Sequence, residues 1–268
     1  MSVKLKLKKE PEFYLEADCI TPDNFAGKKK GEISELTVFE GNKKLKLGDF
    51  FDISGKSGKD AEGTSIEVEG NCKNVQRIGE KMSAGSITVK GDVGMHLGSA
   101  MTGGKITVEG NAGAWAGAML DGGEIIINGD AGDHCASAYR GNWIGMQDGK
   151  ITVKGRVGVE SGSWMRAIRS RNKWPVLKVG SADWYLGVHN HGGTIVCENE
   201  AEGRVGADMA RGQIIVNGKI KRMLPSFKKL GEIKEFKSPI GTIKGKYIEY
   251  EGDYAVSGKP KARLYVSK

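Results

Sequence analysis

The sequence predicts an all-β protein, a parallel β-helix of about eight coils with a cap at each end. Three consecutive segments, 79–91, 98–110 and 117–129, fit one template, G-x-x-M-x-x-G-x-I-x-V-x-G. Only the third departs from it, with Leu120 in the methionine position and Ile127 in the valine position. The segments begin 19 residues apart. A short unit that recurs at constant spacing is typical of a solenoid, in which each unit stacks on its neighbour.

Each unit is predicted to contribute a β-strand. Ile87 and Val89 are two residues apart, as are their equivalents in the next units, so each pair points to one face of a strand. Both residue types are β-branched, and the flanking glycines disfavour a helix. Strands stacked at about 4.8 Å would bury these faces as a continuous ladder. The residues expected to point inward are Ile87, Val89, Ile106, Val108, Ile125, Ile127, Ile151, Val153, Ile214 and Val216.

The ladder extends on both sides of these three units. Its second strand position is predicted at Val68, Val89, Val108, Ile127, Val153, Val179, Cys197 and Val216. Successive positions are 18 to 21 residues apart, except for two steps of 26 residues. The surplus residues are expected to bulge out of the stack at 133–143 and 163–176. In repeat proteins such insertions commonly form the binding loops.

The predicted β-helix spans 58–218, and residues 1–57 are expected to form an N-terminal cap. Solenoids need atypical terminal units, because an uncovered last coil would expose an unpaired strand edge. The cap region contains short alternating apolar segments. Thr21 followed by Pro22 and Asp23 is a helix-start signal within it.

Residues 219–268 are expected to form a basic C-terminal arm or cap. This region holds 13 Lys and Arg against 5 acids, which equals the whole net charge of +8. Part of 219–237 is expected to form a short helix, and 240–250 with 262–266 a terminal hairpin. A lysine-rich solvated surface, an acidic protein partner and nucleic acid are the three interpretations of this charge, in that order of preference.

Aromatic and cationic residues are concentrated in the two predicted bulges. Arg, Trp and Tyr are enriched at interface hot spots, and bulges from neighbouring coils would emerge close together. The predicted partner interface consists of Tyr139, Arg140, Trp143, Trp164, Arg166, Arg169, Arg171 and Trp174. The alternative is that the tryptophans pack the loops onto the stack and the arginines are simply solvated.

Other candidate sites are weaker. His189 and His191 share one face of a strand and suggest a metal pair, but no carboxylate lies at useful spacing. His134 beside Cys135 suggests a nucleophile with its base, but adjacent strand residues face opposite ways. The sequence has neither a C-x-x-C pair nor a phosphate loop, and its four cysteines are expected to be free. We therefore predict no catalytic residue, metal or cofactor in this chain.

Composition also bears on the compartment. No run of 18 apolar residues is present, and the first residues lack the apolar core of a signal peptide. We expect a cytoplasmic protein that neither enters a membrane nor binds nucleic acid.

The stretch GDAGDHCASAYRGNWIGM at 129–146, together with the GGxIxVxG strands, resembles the C subunit of formylmethanofuran dehydrogenase. The repeat by itself is also similar to the C-terminal glycine-repeat domain of glutamate synthase, a right-handed β-helix. The resemblance covers about residues 58–218 and implies the right-handed form here. The Tyr139-Arg140-Gly141 motif in the first bulge favours the dehydrogenase family.

The resemblance implies a role in a complex that reduces CO2 and attaches it to methanofuran, the first step of methanogenesis. In that family a tungsten or molybdenum pterin subunit with iron–sulfur clusters reduces CO2, and a zinc amidohydrolase-like subunit forms the product. The C subunit would be a non-catalytic scaffold that holds these other subunits. The equivalent subunit of a formyltransferase/hydrolase complex and a free-standing carbohydrate-active β-helix are the alternatives.

Overall fold

A computed structural model describes residues 1–168, 170 and 172–268. The predicted all-β class is confirmed, since the described residues form nineteen strands and only three short α-helices. None of these helices is long and apolar enough to cross a membrane. In chain order the elements are β1 (Ser2–Leu7), β2 (Leu15–Glu16), α1 (Pro22–Phe25), α2 (Lys30–Ser34), β3 (Thr37–Glu40), β4 (Lys43–Lys46), α3 (Leu47–Phe50), β5 (Phe51–Gly55), β6 (Ser65–Glu69), β7 (Val75–Gln76), β8 (Ser86–Val89), β9 (Lys105–Val108), β10 (Asp121–Ile127), β11 (Asp148–Val157), β12 (Val176–Trp184), β13 (His191–Cys197), β14 (Glu200–Gly203), β15 (Arg211–Val216), β16 (Lys219–Arg222), β17 (Lys228–Ser238), β18 (Gly241–Gly252) and β19 (Ala262–Ser267).

The largest sheet contains a stack of parallel strands in the predicted register. Its order is β1, β6, β8, β9, β10, β11, β12, β13, β15 and β19, and every neighbouring pair in this run is parallel. The predicted positions from Val68 to Val216 pair one to the next without a slip. Leu5 of β1 and Val266 of β19 extend the same line at its two ends.

The inward faces are confirmed by burial. All ten residues predicted to point inward are at most 1% exposed. Alternate residues of β10 remain more accessible, as for Ile126 between the fully buried Ile125 and Ile127. Because side chains alternate across a strand, the main apolar core lies on the inward face of the stack. A second, smaller buried cluster lies on the outer face of β13 and β15, where Val196 and Ile215 pack with Phe236, Tyr247 and Tyr265.

Glycines lie where the inward isoleucines need space. Gly98 and Gly117 both adopt the left-handed conformation, with φ of 59° and 63°. A Cβ atom at Gly117 would lie 2.2 Å from Cδ1 of Ile151, and one at Gly98 would lie 2.6 Å from Cδ1 of Ile125. Glycine at this template position therefore avoids both backbone strain and a clash in the core, although Ala136 occupies the equivalent position with φ of 61°.

Successive segments also pair away from the main strands. Isolated parallel bridges link equivalent residues of successive segments. Cys72 pairs with Val93, Val93 with Ala112, Ala112 with Ala131, and Ala131 with Val157. From Val157 the line continues through β12, β14 and β16. Neighbouring segments thus contact one another at two separate lines of backbone pairing. All four cysteines are free, as predicted, and all four are buried.

Other pairings are found at the two ends of the stack. At the N-terminal end β5 pairs antiparallel with β1, and a separate sheet has the order β4-β3-β2-β7. The predicted helix start is confirmed in α1, where the side chain of Thr21 accepts the backbone N–H of Asn24 at 3.1 Å. The predicted terminal hairpin is also confirmed, because β18 and β19 pair antiparallel.

The short helix expected within 219–237 is wrong. These residues form β16 and most of β17, and β17 pairs antiparallel with β18 along its length. Phe236 is buried there, with its ring stacked 3.7 Å from Tyr265 and edge-on to Tyr247. Contacts with residues distant in sequence therefore determine the local conformation, and propensity does not.

The buried ladder is expected to carry most of the stability of the stack. Replacing Ile125, which is fully buried, by Ala should lower the free energy of unfolding by about 2–5 kcal/mol, because it leaves a cavity between neighbouring strands. Ile126→Ala in the same strand is the matched control and should cost clearly less, since its side chain is on the outer face. Equal losses in chemical denaturation would contradict the assigned inward face.

Candidate partner-docking face

A column of equivalent residues runs along one corner of the stack. Its members share the left-handed backbone conformation, with φ between 53° and 66°. They are Arg77, His96, Trp115, His134, Glu160, Tyr185 and Arg204. Backbone bonds between segments keep the column in register, as from Trp115 N–H to Asp133 O at 2.8 Å. Left-handed conformations are uncommon in residues other than glycine, so seven of them at equivalent positions indicate that the backbone is constrained at this corner. We call these seven residues the corner column.

Three rings of the corner column stack on one another. The ring centroids of His96 and Trp115 are 6.4 Å apart and those of Trp115 and His134 are 4.2 Å apart, with interplanar angles of 15° and 19°. Tyr139 of the first bulge covers this stack, 5.0 Å from Trp115 and 5.5 Å from His96. Its hydroxyl donates to Oγ of Ser99 at 2.9 Å and lies 2.9 Å from Nδ1 of His96. The first bulge therefore folds back over earlier segments.

Burial and a neighbouring cation determine the charge of this cluster. Burial lowers the pKa of His96 below its ordinary value, and the positive charge of Arg77 lowers it further. Arg77 is held in place by ion pairs with Glu80 at 2.9 Å and Glu16 at 3.1 Å. Burial also raises the pKa of Tyr139. Both groups are therefore uncharged at neutral pH.

The two bulges meet at a second aromatic cluster. Trp143 of the first bulge packs edge-on against Trp164 of the second, with ring centroids 4.9 Å apart. The backbone N–H of Gly145 donates to the carbonyl of Trp164 at 2.9 Å. Trp164 in turn stacks on His189 at 4.3 Å and on His191 at 5.7 Å. Trp143 remains 63% exposed, which leaves a large aromatic surface open at this junction.

The arginines of the predicted interface differ from one another in exposure. Arg140 is exposed, and Arg166 is half-buried. Burial lowers the pKa of His191, and the positive charge of Arg166 lowers it further. Arg169 and Arg171 lie outside the residues that the structure describes.

Trp174 has a different environment from the other predicted tryptophans. Its indole N–H donates to Oγ1 of Thr194 at 2.9 Å, and its backbone N–H donates to Asp148 at 3.3 Å. Thr194 belongs to β13 and Asp148 begins β11. Trp174 therefore anchors the end of the second bulge to the sheet, as the packing alternative for the tryptophans expects.

The structure shows the surroundings of the two weaker candidate sites, the His134–Cys135 pair and the His189–His191 pair. Cys135 is buried, which raises its pKa to about 12, so it is a thiol at neutral pH and not a nucleophile. His134 stacks on Trp115. His189 and His191 contact the ring of Trp164, and no cluster of three or more potential metal ligands occurs in the described part of the chain.

His96 and Trp115 were not among the predicted interface residues. They lie 19 and 38 residues after Arg77, so a search for one corner position per segment would have found them with His134. The repeat template specifies only the glycines and the apolar residues. The side chains at this corner differ from segment to segment, so the template does not reveal them. Aromatic rings and arginines are the residue types that recur at protein–protein interfaces.

Comparison with known proteins identifies the family. No protein-family model matches the chain. It is 41% identical over 269 residues to the C subunit of the tungsten-containing formylmethanofuran dehydrogenase 2 of Methanococcus maripaludis, covering 98% of this chain and 95% of that one. The chain belongs to the family of formylmethanofuran dehydrogenase C subunits. The enzyme of which these relatives are subunits is an oxidoreductase complex.

Two further matches place this family in a wider context. The C subunit of the molybdenum-containing formylmethanofuran dehydrogenase 1 of Methanosarcina barkeri is 47% identical over 90 residues, 34% of this chain and 30% of that one. The formyltransferase/hydrolase complex of Methylorubrum extorquens, solved in complex with methylofuran, contains a chain with a TM-score of 0.86 and 30% identity. That match covers 99% of both chains.

The lowered pKa of His96 has a measurable consequence. As the pH falls from 7 to 5, an unfolded chain takes up a proton near pH 6.5, before the folded chain does at this site. The free energy of unfolding should therefore fall over this window, and His96→Phe should remove part of the decrease while keeping a ring in the stack. Denaturation curves at pH 7, 6 and 5 measure both slopes. Identical slopes would contradict a buried, neutral His96.

Proposed function

We propose that this chain is the non-catalytic scaffold subunit of a formylmethanofuran dehydrogenase complex. The observation that carries the proposal is the 41% identity to a C subunit of that enzyme over 98% of the chain. In this proposal the complex is cytoplasmic and carries tungsten or molybdenum pterin, iron–sulfur clusters and zinc in its other subunits. It reduces CO2 and attaches it to methanofuran.

The fold we propose for this scaffold is a right-handed parallel β-helix. Ten parallel strands in one run support it, and so does the second line of bridges between the same segments. Connections between parallel strands of one sheet are right-handed in about 98% of cases. Nine strand spacings of about 4.8 Å give a rod about 43 Å long. A rod held by backbone hydrogen bonds along its length is a rigid support for larger subunits.

The docking face that we propose is the surface where the two bulges meet. Three observations support it: the ring contact between Trp143 and Trp164, the exposure of Trp143, and the presence of an arginine in each bulge, Arg140 and Arg166. When a partner covers large aromatic side chains at the centre of a contact, much apolar surface is removed from water, which favours binding. The same face is proposed to contact a catalytic subunit.

A second function has one observation in its favour. The match to the formyltransferase/hydrolase complex covers 99% of both chains with a TM-score of 0.86. The identity is 30% there, against 41% for the dehydrogenase subunit from Methanococcus maripaludis. The higher identity favours the dehydrogenase, and the lower one makes the other complex the second candidate.

Affinity purification from a methanogen that produces the tagged chain distinguishes the two candidates. The dehydrogenase proposal expects co-purification with a tungsten- or molybdenum-containing subunit in constant ratio, together with formylmethanofuran dehydrogenase activity. Formyltransferase and hydrolase subunits without such a metal would support the second candidate. Recovery of the chain alone would contradict both.

The docking face has its own test. Trp143→Ala should weaken assembly by about 30-fold, or about 2 kcal/mol, because it removes an exposed ring at the proposed contact centre. Phe13→Ala is the matched control, since Phe13 is also exposed, at 61%, and lies outside both bulges. Both variants should keep the wild-type melting temperature. If Trp143→Ala assembles as tightly as the control, the bulges are ordinary surface loops.

A further inference from the structure

A second group of arginines and aromatic residues lies nearer the C-terminus, outside both bulges. Trp184, Gly203 and Arg222 occupy the same register position on the adjacent parallel strands β12, β14 and β16. A Cβ atom at Gly203 would lie 2.9 Å from Cβ of Arg222 and 3.0 Å from Cζ3 of Trp184. The missing side chain of Gly203 therefore allows the indole and the stem of Arg222 to close over the backbone between them. The guanidinium carbon of Arg222 lies 5.2 Å from the centre of the Trp184 ring.

A second guanidinium lies on the same indole. Arg204 belongs to the corner column and has a φ of 53°, and its guanidinium carbon is 5.9 Å from the Trp184 ring and 5.2 Å from the Tyr185 ring. It also donates a hydrogen bond to the hydroxyl of Tyr185. Two planar cations are thus held against one aromatic group, where cation–π attraction keeps them in place.

These two arginines border a cleft of about 610 Å³, which Met223, Leu224 and Pro225 line on another side. Two carboxylates also line the cleft, but each has other partners. Asp208 lies 3.5 Å from Nδ1 of His189, and Asp253 accepts the backbone N–H groups of Asp208 and Ala255 at 3.0 and 2.9 Å. Within the described residues, neither carboxylate forms an ion pair with Arg204 or Arg222.

Three other arginines are arranged differently. Arg77, Arg156 and Arg263 each form ion pairs with at least two acidic side chains. The N–H groups of Arg204 and Arg222 form no such pair in the part of the chain that the structure describes, and both residues are exposed. A guanidinium fork binds a carboxylate through two parallel hydrogen bonds, and apolar contact beside it adds selectivity for a protein segment.

We propose that this cleft, which we call the Arg204–Arg222 cleft, receives carboxylate side chains from an acidic segment of a partner subunit. The two fixed cations supply the charge complementarity, and the wall formed by 223–225 supplies apolar contact for the same segment. The inference rests on the proposed function, because it requires that the chain assembles with other subunits. It adds a second contact area, separate from the two bulges.

The test compares assembly of the full complex with wild-type chain and with the double variant Arg204→Met, Arg222→Met. Methionine keeps much of the apolar stem of arginine and removes the charge. The double variant should bind its partners at least 10-fold more weakly at 50 mM salt, and the difference should shrink at 500 mM salt, because salt screens exposed charges. Arg263→Met is the matched control, since Arg263 is already paired with Glu249 and Glu251.

The outcomes separate this inference from the proposed function. If the double variant assembles like Arg263→Met at both salt concentrations, the cleft binds no partner carboxylate and the inference is wrong. Inorganic phosphate is also titrated into the free chain. Phosphate binding that the double variant loses, together with unchanged assembly, would assign the cleft to a small anion and overturn the proposal. A wild-type chain that binds no subunit would reject the proposed function, and this inference with it.

Discussion

Backbone hydrogen bonding that keeps successive segments in register is the constraint on which the rest of this protein depends. Because Val68 pairs with Val89 and Val89 with Val108, every residue of one segment lies directly over its equivalent in the next. Inside the stack this register brings isoleucine onto isoleucine and valine onto valine. Outside it, residues that share no local contact become neighbours, as His96, Trp115 and His134 do. A slip of one residue would turn the whole ladder outward.

The same constraint has a cost at the corners. Residues in the corner column adopt the left-handed conformation, which costs a residue with a Cβ atom about 1–2 kcal/mol. Gly98 and Gly117 avoid this cost at interior positions, but the corner column carries large side chains instead. Stacking among these rings and the bonds from Tyr139 offset part of the cost. The corner is therefore a place where the chain accepts strain and presents chemically distinctive groups.

Both aromatic clusters and the Arg204–Arg222 cleft include residues of the corner column or residues close to it. The two bulges interrupt the stack there. The flat outer face instead carries ion pairs between neighbouring strands, such as Lys105 with Glu124. Exposed pairs of that kind contribute little free energy, and each charge in them already has a partner of opposite sign. In the proposed scaffold role, partner subunits would bind along this corner.

The sequence by itself determined the strands, their inward faces and the positions of the bulges, because a constant spacing makes every equivalent residue and every surplus residue visible. It also indicated the family, through the glycine template and the 129–146 stretch. Only the tertiary structure decided where the bulge side chains lie. Tyr139 reaches His96, 43 residues earlier, while Trp174 turns to the sheet. It also decided that 228–238 is a strand, since Phe236 packs on Tyr265. Such contacts join residues distant in sequence and outside the regular spacing, so no local pattern encodes them.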